Sequence, residues 1–260
     1  MDTSKYVLIT GGSAGIGLEI AKLFADAGRN LIIVARDQAE LADAKASLEK
    51  NGVSVVTISK DLFDPNASFE LFEEIQSANY EVDTLVNNAG QGAYGLFKDN
   101  DIQKELGIIQ LNISSLVVLT KLFLQPMLQR GEGKILNTSS VASQAPGPYH
   151  AVYHATKAFV QSFTEAIRNE VKDAGVKVTA LLPGATDTGF FAKADMLDSK
   201  IVDSKLADPA QVAKDGYDAL MSGDDKVVSG FMNKVQVTAG KVLSDPIKAA
   251  QLKKQQEPSK

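Results

Sequence analysis

A short β-branched run from Lys5 ends in Thr10-Gly11-Gly12-Ser13-Ala14-Gly15-Ile16-Gly17, and beyond it Ile16, Ile20, Leu23, Phe24 and Ala27 recur at helical spacing. This strand, glycine turn and helix constrain the fold more than any other feature of the chain. Glycines at such a turn let the backbone take positive φ and approach a phosphate closely, while the helix N-terminus offers N–H donors. A dinucleotide is the natural ligand. Glycine turns also arise for structural reasons alone, and this spacing is not G-x-G-x-x-G, so the rest of the chain has to decide.

The pattern repeats. Leu31–Ala35 reads as a second buried strand, Leu41–Leu48 as a helix, Val53–Ser59 as a third strand, and Phe69–Ile75 as a helix opened by Pro65 and Asn66. Four more strand candidates follow at Val82–Val86, Lys134–Asn137, Val176–Leu182 and Lys226–Val228. The helices among them include Ile108–Leu128, Tyr153–Lys172 and Pro209–Met221. Repeated βα units with right-handed crossovers predict an α/β fold: a single-domain, Rossmann-like, doubly wound and mostly parallel seven-stranded sheet with helices on both faces. Ligands then sit beyond the carboxyl ends of the strands. With 260 residues and no linker or internal repeat, residues 1–250 read as one dinucleotide-binding and catalytic domain. The polar stretch 251–260 is expected to be a flexible tail.

Composition narrows the function. A net charge of −5 argues against nucleic acid as a partner while leaving room for a local basic pocket. The absence of cysteine removes disulfides, thiolate metal sites and cysteine nucleophiles, which suits the cytoplasm. No export signal is read at the start. The most apolar long segment, Leu111–Leu128, contains Asn112, Lys121 and Pro126, so a buried helix is expected there and no membrane element.

Taken with these elements, the motifs resemble the short-chain dehydrogenase/reductase family. Its cofactor turn, T-G-x-x-x-G-x-G, is matched by Thr10, Gly11, Gly15 and Gly17, with Ser13, Ala14 and Ile16 between them. Its Asn-Asn-Ala-Gly motif after the fourth strand appears as Asn87-Asn88-Ala89-Gly90. Asp61, followed by Leu62, stands where the family contacts adenine. Pro183-Gly184 matches the turn beside the nicotinamide, with Thr186 and Thr188 as further contacts. The resemblance runs from about Lys5 to Gly230.

Which dinucleotide is bound depends on the end of the second strand, where a carboxylate would bond the ribose 2′-hydroxyl and an arginine would pair with a 2′-phosphate. Twenty-four residues on from Gly11, where NAD-specific relatives place their acid, stands Ala35, followed by Arg36. NADP(H) is favoured and NAD(H) remains possible. Asp37 is an alternative contact to the ribose, and Ala14 occupies a place where other NADP-using relatives carry a basic residue.

Tyr153 and Lys157 are four apart on a predicted helix, which stacks them on one face. A neighbouring ammonium favours the phenolate of a tyrosine whose ordinary pKa is near 10, as acid–base chemistry requires. On its own the pair also fits a solvated helix face. The resemblance adds Ser140, thirteen residues before Tyr153, to orient a substrate carbonyl, with Ser139 as the neighbouring alternative. It adds Asn112, whose backbone carbonyl holds a relay water in the family. The mechanism implied is hydride transfer between nicotinamide and a carbonyl carbon, with Tyr153 moving the proton and no metal required. His150 and His154 form an i, i+4 pair without further ligands at metal spacing.

Three residues between Tyr153 and Lys157 disfavour enoyl reductases, and Phe231-Met232-Asn233 after the last strand departs from acyl-carrier-protein ketoreductases. A small-molecule carbonyl reductase is expected, in which Gln91, Tyr94, Ser140, Gln144, Tyr149, His150 and Phe190 are candidates to border the substrate. Phe97, Ser143 and Phe191 join them. Residues 190–206 correspond to a mobile lid with Gly189 as a possible hinge, and the helices Ile108–Leu128 and Tyr153–Lys172 to a homodimer or homotetramer interface. The alternatives are an NAD-dependent alcohol dehydrogenase, a 3-oxoacyl reductase, and a non-catalytic NADP-binding sensor.

Overall fold

The protein is described from a computed structural model, which covers residues 5–49, 52–202, 205–240 and 243–259. Among these residues, the aliphatic runs form seven strands: β1 (Lys5–Thr10), β2 (Asn30–Ala35), β3 (Val55–Ser59), β4 (Glu81–Asn87), β5 (Gly133–Thr138), β6 (Val176–Leu182) and β7 (Lys226–Val228). They lie in the order β3-β2-β1-β4-β5-β6-β7, and every neighbouring pair is parallel. The order reverses between β1 and β4, and such a switch point opens a crevice at the carboxyl edge of the sheet.

Alternate residues of each strand feed opposite layers, as the two-residue side-chain period requires. Val7, Ile9, Leu31 and Ile33 face α1 (Gly15–Asp26), α2 (Gln38–Leu48) and α8 (Pro209–Ser222), where Ile20, Phe24, Leu41 and Val212 meet them. Leu8, Ile32, Leu85 and Ile135 face the other layer, which holds α3 (Ala67–Ser77), α5 (Ser115–Arg130) and α6 (Ala151–Val171). Strands buried on both faces explain why they read as continuous apolar runs.

The expected helix Ile108–Leu128 is longer and has three parts: α4 (Ile102–Ile109), a π-helical segment (Gln110–Ser114), and α5. One 18-residue stretch of Ile102–Arg130 reaches a mean hydropathy of 1.7, so by length and composition it could cross a membrane. In the fold, Leu119, Phe123 and Met127 of α5 are fully buried against the sheet.

Within the tail expected at 251–260, the described residues 251–259 continue a helix and then pair with an earlier segment, and residue 260 lies outside the described residues. After α9 (Phe231–Gly240), α10 (Asp245–Gln256) folds back over one end of the crevice, where Leu252 and Gln256 line it. Its partners are tertiary and leave no local signature. The Tyr94 hydroxyl donates to the Gln256 carbonyl, Lys200 pairs with Glu257 at 3.3 Å, and Ser199 bridges Pro258. The segment 190–206, read above as a lid, begins with the short α7 (Phe190–Lys193). Phe191, Ala194 and Met196 pack there with Tyr94, Ile201 and Leu206. Residues 203 and 204 lie outside the described residues.

Candidate active site

The carboxyl edge of the sheet holds a cavity of about 740 Å³. Its first wall is the glycine turn. Gly11 and Gly15 have φ of +63° and +54°, and a Cβ on Gly17 would lie 2.1 Å from the Gly11 carbonyl oxygen. Only glycine fits such contacts. Helix α1 starts at this turn with Ala14 as its cap residue, no capping side chain and no acid in its first turn, so its N–H groups face the cavity free for an anion. By contrast α2 is closed by Asp37, whose carboxylate accepts from Ala39 N and Glu40 N at 2.8 and 3.0 Å.

Thr10 ties this turn to the next motif. Its hydroxyl oxygen accepts from Asn88 N and Ala89 N, both at 3.1 Å, and the Asn88 amide donates to the Gly11 carbonyl at 3.1 Å. Of the residues expected to hold a cofactor, Gly11, Ser13, Ala14, Gly15, Ile16, Arg36, Asp61, Leu62, Asn88, Ala89, Gly90, Tyr153, Lys157, Pro183, Gly184, Thr186 and Thr188 all line the cavity. Gly17 lies behind the turn and acts by making room. At the far end, the Arg36 guanidinium lies 5.1 Å from the Phe63 ring centroid and 4.0 Å from Asp61, and Ser13 donates to Glu40 at 2.8 Å. Phe63, Glu40 and Lys60 line this end too, and no motif had marked them.

At the other end β5 delivers two serines of opposite fate. Both line the cavity, but the Ser139 hydroxyl is taken up by the Lys157 carbonyl at 2.8 Å, while the Ser140 hydroxyl donates to the Pro183 carbonyl at 3.3 Å and meets the Tyr153 hydroxyl. The Ser140 oxygen also accepts from Ala142 N at 3.1 Å, which anchors it. One turn along α6 from Tyr153, the Lys157 ammonium lies 5.8 Å from the Tyr153 ring centroid and donates to the Thr138 carbonyl at 2.8 Å. Burial lowers the Lys157 pKa to about 8, which still leaves it cationic at neutral pH. The Tyr153 ring keeps some exposure where it lines the cavity. Protein surrounds its hydroxyl closely enough to raise its pKa to about 12, against the opposing effect of the Ser140 hydrogen bond.

Asn112 sits in the π segment, which supplies the local reason for a polar residue in the middle of an apolar helix. Its amide donates to the Gln91 carbonyl at 2.9 Å and to Thr156 Oγ1 at 3.0 Å, and its oxygen accepts from Gln91 N at 3.0 Å. A Cβ on Gly90 would stand 3.3 Å from both Asn112 Oδ1 and Lys157 Nζ, so those residues meet across that glycine.

Of the expected substrate residues, Gln91, Ser140, His150, Phe190 and Phe191 line the cavity. Tyr94, Gln144, Tyr149, Ser143 and Phe97 do not. Tyr94 stands behind the wall with its hydroxyl on the Gln256 carbonyl, Gln144 and Ser143 bond Gln161 instead, Tyr149 occupies a turn at φ +65°, and Phe97 points outward, 62% exposed. Gly189 has φ −63°, which any residue can adopt, so the backbone here does not require a glycine hinge. His150 is buried, and desolvation with the nearby His154 lowers its pKa to about 3. The His154 pKa is also lowered by burial, opposed by the Ala145 carbonyl, which its Nδ1 meets at 2.8 Å. Met196, Ile201, Leu252 and Gln256 complete this end. These residues come from the segment 190–206 and from α10, whose sequences carry no motif.

Comparison with known proteins is consistent with this geometry. A family model described as short chain dehydrogenase matches residues 5–197. Sulfoacetaldehyde reductase 2 of Chromohalobacter salexigens is 39% identical over 189 residues, covering 72% of this chain and 75% of that protein. Ketoacyl reductase HetN of Nostoc sp. is 31% identical over 206 residues, with 79% and 70% covered. Among solved structures, a short-chain dehydrogenase from Sphingobium yanoikuyae in complex with NADPH superposes with a TM-score of 0.82 at 28% identity, covering 91% of this chain and 93% of that one.

Proposed function

The chain belongs to the short-chain dehydrogenase family of oxidoreductases, and on that premise we propose that it is an NADP(H)-dependent reductase of small-molecule carbonyl compounds. The observation that carries this reading is that Ser140, Tyr153 and Lys157 open onto the same cavity as the uncapped start of α1. The residues present fit a nicotinamide dinucleotide. The glycine turn would hold its pyrophosphate, Asp61 and Leu62 its adenine, Lys157 a ribose, and Asn88–Gly90 with Pro183–Thr188 the nicotinamide half. When bound, that group supplies the hydride for the carbonyl carbon or accepts it in the reverse direction.

The protein's own part is to hold the carbonyl and move a proton. Ser140 donates a hydrogen bond to the substrate oxygen and fixes it beside Tyr153. Tyr153 gives that oxygen its hydroxyl proton. Lys157 stabilises the phenolate that remains, as a cation near a nascent anion in a low-dielectric wall does. Asn112 braces Thr156 on α6, and its backbone carbonyl would hold the relay water that the family resemblance implies, returning protons toward Lys157.

Support for NADP(H) comes from Asp37, whose carboxylate is engaged in capping α2, while Arg36 stays half-exposed at the cavity mouth. We expect Arg36→Ala to raise KM for NADPH by about 10- to 100-fold, the worth of a charge-assisted bond to phosphate, and to leave KM for NADH nearly unchanged. Steady-state kinetics with each cofactor checks this, and equal effects on the two would remove Arg36 as the selector.

A homo-oligomer forms through α4 and α6 in this reading. Ile102, Leu106 and Ile109 make a stripe on α4, and Phe159 projects from α6 packed beside it; they are 57%, 49%, 36% and 41% exposed. Sedimentation velocity should show at least a dimer at micromolar protein, shifted toward monomer by Leu106→Glu with Phe159→Glu. A monomeric wild type would refute the interface.

A further inference from the structure

The reaction just described uses Ser140, Tyr153 and Lys157 but leaves one wall of the cavity unexplained. Beside Tyr153, that wall is built by two neutral side chains, His150 and Gln256, each only 3% exposed. His150 Nε2 and Gln256 Oε1 are both buried, and neither has a hydrogen-bond partner among the described residues. Buried polar atoms without partners are rare enough in folded proteins to require a reason.

The identity of the free Gln256 atom follows from its neighbours. His154 Nδ1 lies 2.8 Å from the Ala145 carbonyl oxygen, which can only accept, so Nδ1 carries the proton and Nε2 is an acceptor. The Gln256 amide atom 3.1 Å from that Nε2 must therefore be its N–H group. Oε1 is left over, and the Tyr94 bond to the Gln256 carbonyl holds the residue in place.

The charge of the surroundings selects the partner. The carboxylates lining the cavity, Asp37, Glu40 and Asp61, belong to the Arg36 end, so an ammonium group would meet no counter-charge beside Gln256. A carboxylate or sulfonate would be set against the lone pairs of Oε1 and an imidazole that burial keeps neutral. A hydroxyl suits both atoms, because it donates its one proton to Oε1 and accepts from an imidazole N–H. Phe190, Met196 and Leu252 add apolar surface to the remaining wall, which Gln91 and Lys193 also line.

We propose that Gln256, with His150, is a specificity-determining subsite for a substrate hydroxyl, so that the preferred substrates are hydroxylated aldehydes or ketones. The 4.9 Å between the His150 and Tyr153 ring centroids puts that hydroxyl within a few carbons of the carbonyl. The inference rests on the assignment of carbonyl reduction to Ser140 and Tyr153.

The test compares kcat/KM with NADPH for near-isosteric pairs, glycolaldehyde against propanal and 1-hydroxy-2-butanone against 3-pentanone, in the wild type, Gln256→Leu and Gln256→Glu. The wild type prefers the hydroxylated member by about 10- to 100-fold, mostly in KM, because the analogue leaves two polar atoms unpaired. Gln256→Leu brings the ratio close to one, and Gln256→Glu, which keeps an acceptor oxygen, restores part of it. Thermal denaturation verifies that both variants fold. Equal kcat/KM for the two members in a wild type that turns both over would overturn the subsite alone. So would an unchanged ratio in Gln256→Leu, or stronger preference for an anionic aldehyde such as succinic semialdehyde, which would move recognition to Lys193. No turnover of any probe would overturn the reductase reading and the subsite together.

Discussion

Replacing Tyr153 with phenylalanine is expected to lower kcat for carbonyl reduction by about 10³-fold, within the 10²–10⁴ that a positioned general acid contributes, while NADPH affinity hardly changes. The ring still fills its place against His150 and Phe190, 4.9 and 5.2 Å away between centroids, so the loss falls on proton transfer and not on the shape of the cavity. The pH dependence follows from the same group. With its pKa raised to about 12 by burial, Tyr153 is protonated through the neutral range and ready as an acid. Reduction needs that protonated form and declines only on the alkaline side. Alcohol oxidation needs the phenolate and climbs with pH. As pH passes about 8, Lys157 begins to lose the charge that helps the phenolate, so the climb becomes shallower. Stopped-flow and steady-state absorbance at 340 nm with wild type and Tyr153→Phe separate these effects. Retained turnover in the variant would sink the proton-transfer assignment, and tight NADPH binding by a wild type that turns nothing over would favour a sensor.

The other large effect is expected at Gly17. An alanine Cβ there would stand 2.1 Å from the Gly11 oxygen and 2.5 Å from Asn88 Nδ2, and neither can step aside cheaply. Gly11 N is bonded to the Val34 carbonyl at 2.8 Å, and Asn88 N is held by Thr10. Relief requires lifting the start of α1 from the sheet, which disturbs the cradle and the apolar layer beneath it. Overpacking of this kind costs about 3 kcal/mol, or roughly 6–12 °C in Tm for a chain of this size, and NADPH binding should weaken more than tenfold. Gly189→Ala is the contrast: its Cβ finds nothing nearer than Lys193 Cε at 4.0 Å, and Tm should stay put. Calorimetry and NADPH fluorescence titration give both numbers. A Gly17→Ala protein with native Tm and affinity would show that the turn has slack the contacts do not reveal.

Much of this site is legible along the chain because its parts are local. Strand runs predict the sheet, and a parallel sheet brings Gly11, Asn88, Ser140 and Pro183 to one edge whatever lies between them. Tyr153 and Lys157 share a helix face by spacing alone. What spacing cannot supply is tertiary partnership. Gln256 lies in a polar stretch with no apolar stripe, and its burial depends on His154 and Tyr94, 102 and 162 residues away. Tyr94 and Tyr149 looked like pocket aromatics because composition does not say which side of a loop faces inward. Their rings stack on each other, 5.8 Å apart, behind the wall. The π segment at Gln110–Ser114 is hidden for another reason: one additional residue in a turn leaves the apolar content of the helix unchanged.

That additional residue has a geometric consequence. Each residue advances an α-helix by about 100°, so a one-residue insertion resets the phase of everything after it. The apolar content of Ile102–Arg130 is thereby divided between two azimuths. The Ile102, Leu106 and Ile109 stripe looks outward, and the Leu119, Phe123 and Met127 stripe looks into the sheet. A hydropathy average over 18 consecutive residues of this span adds together residues that share no side, and so counts as one greasy cylinder what the fold uses as two half-faces back to back.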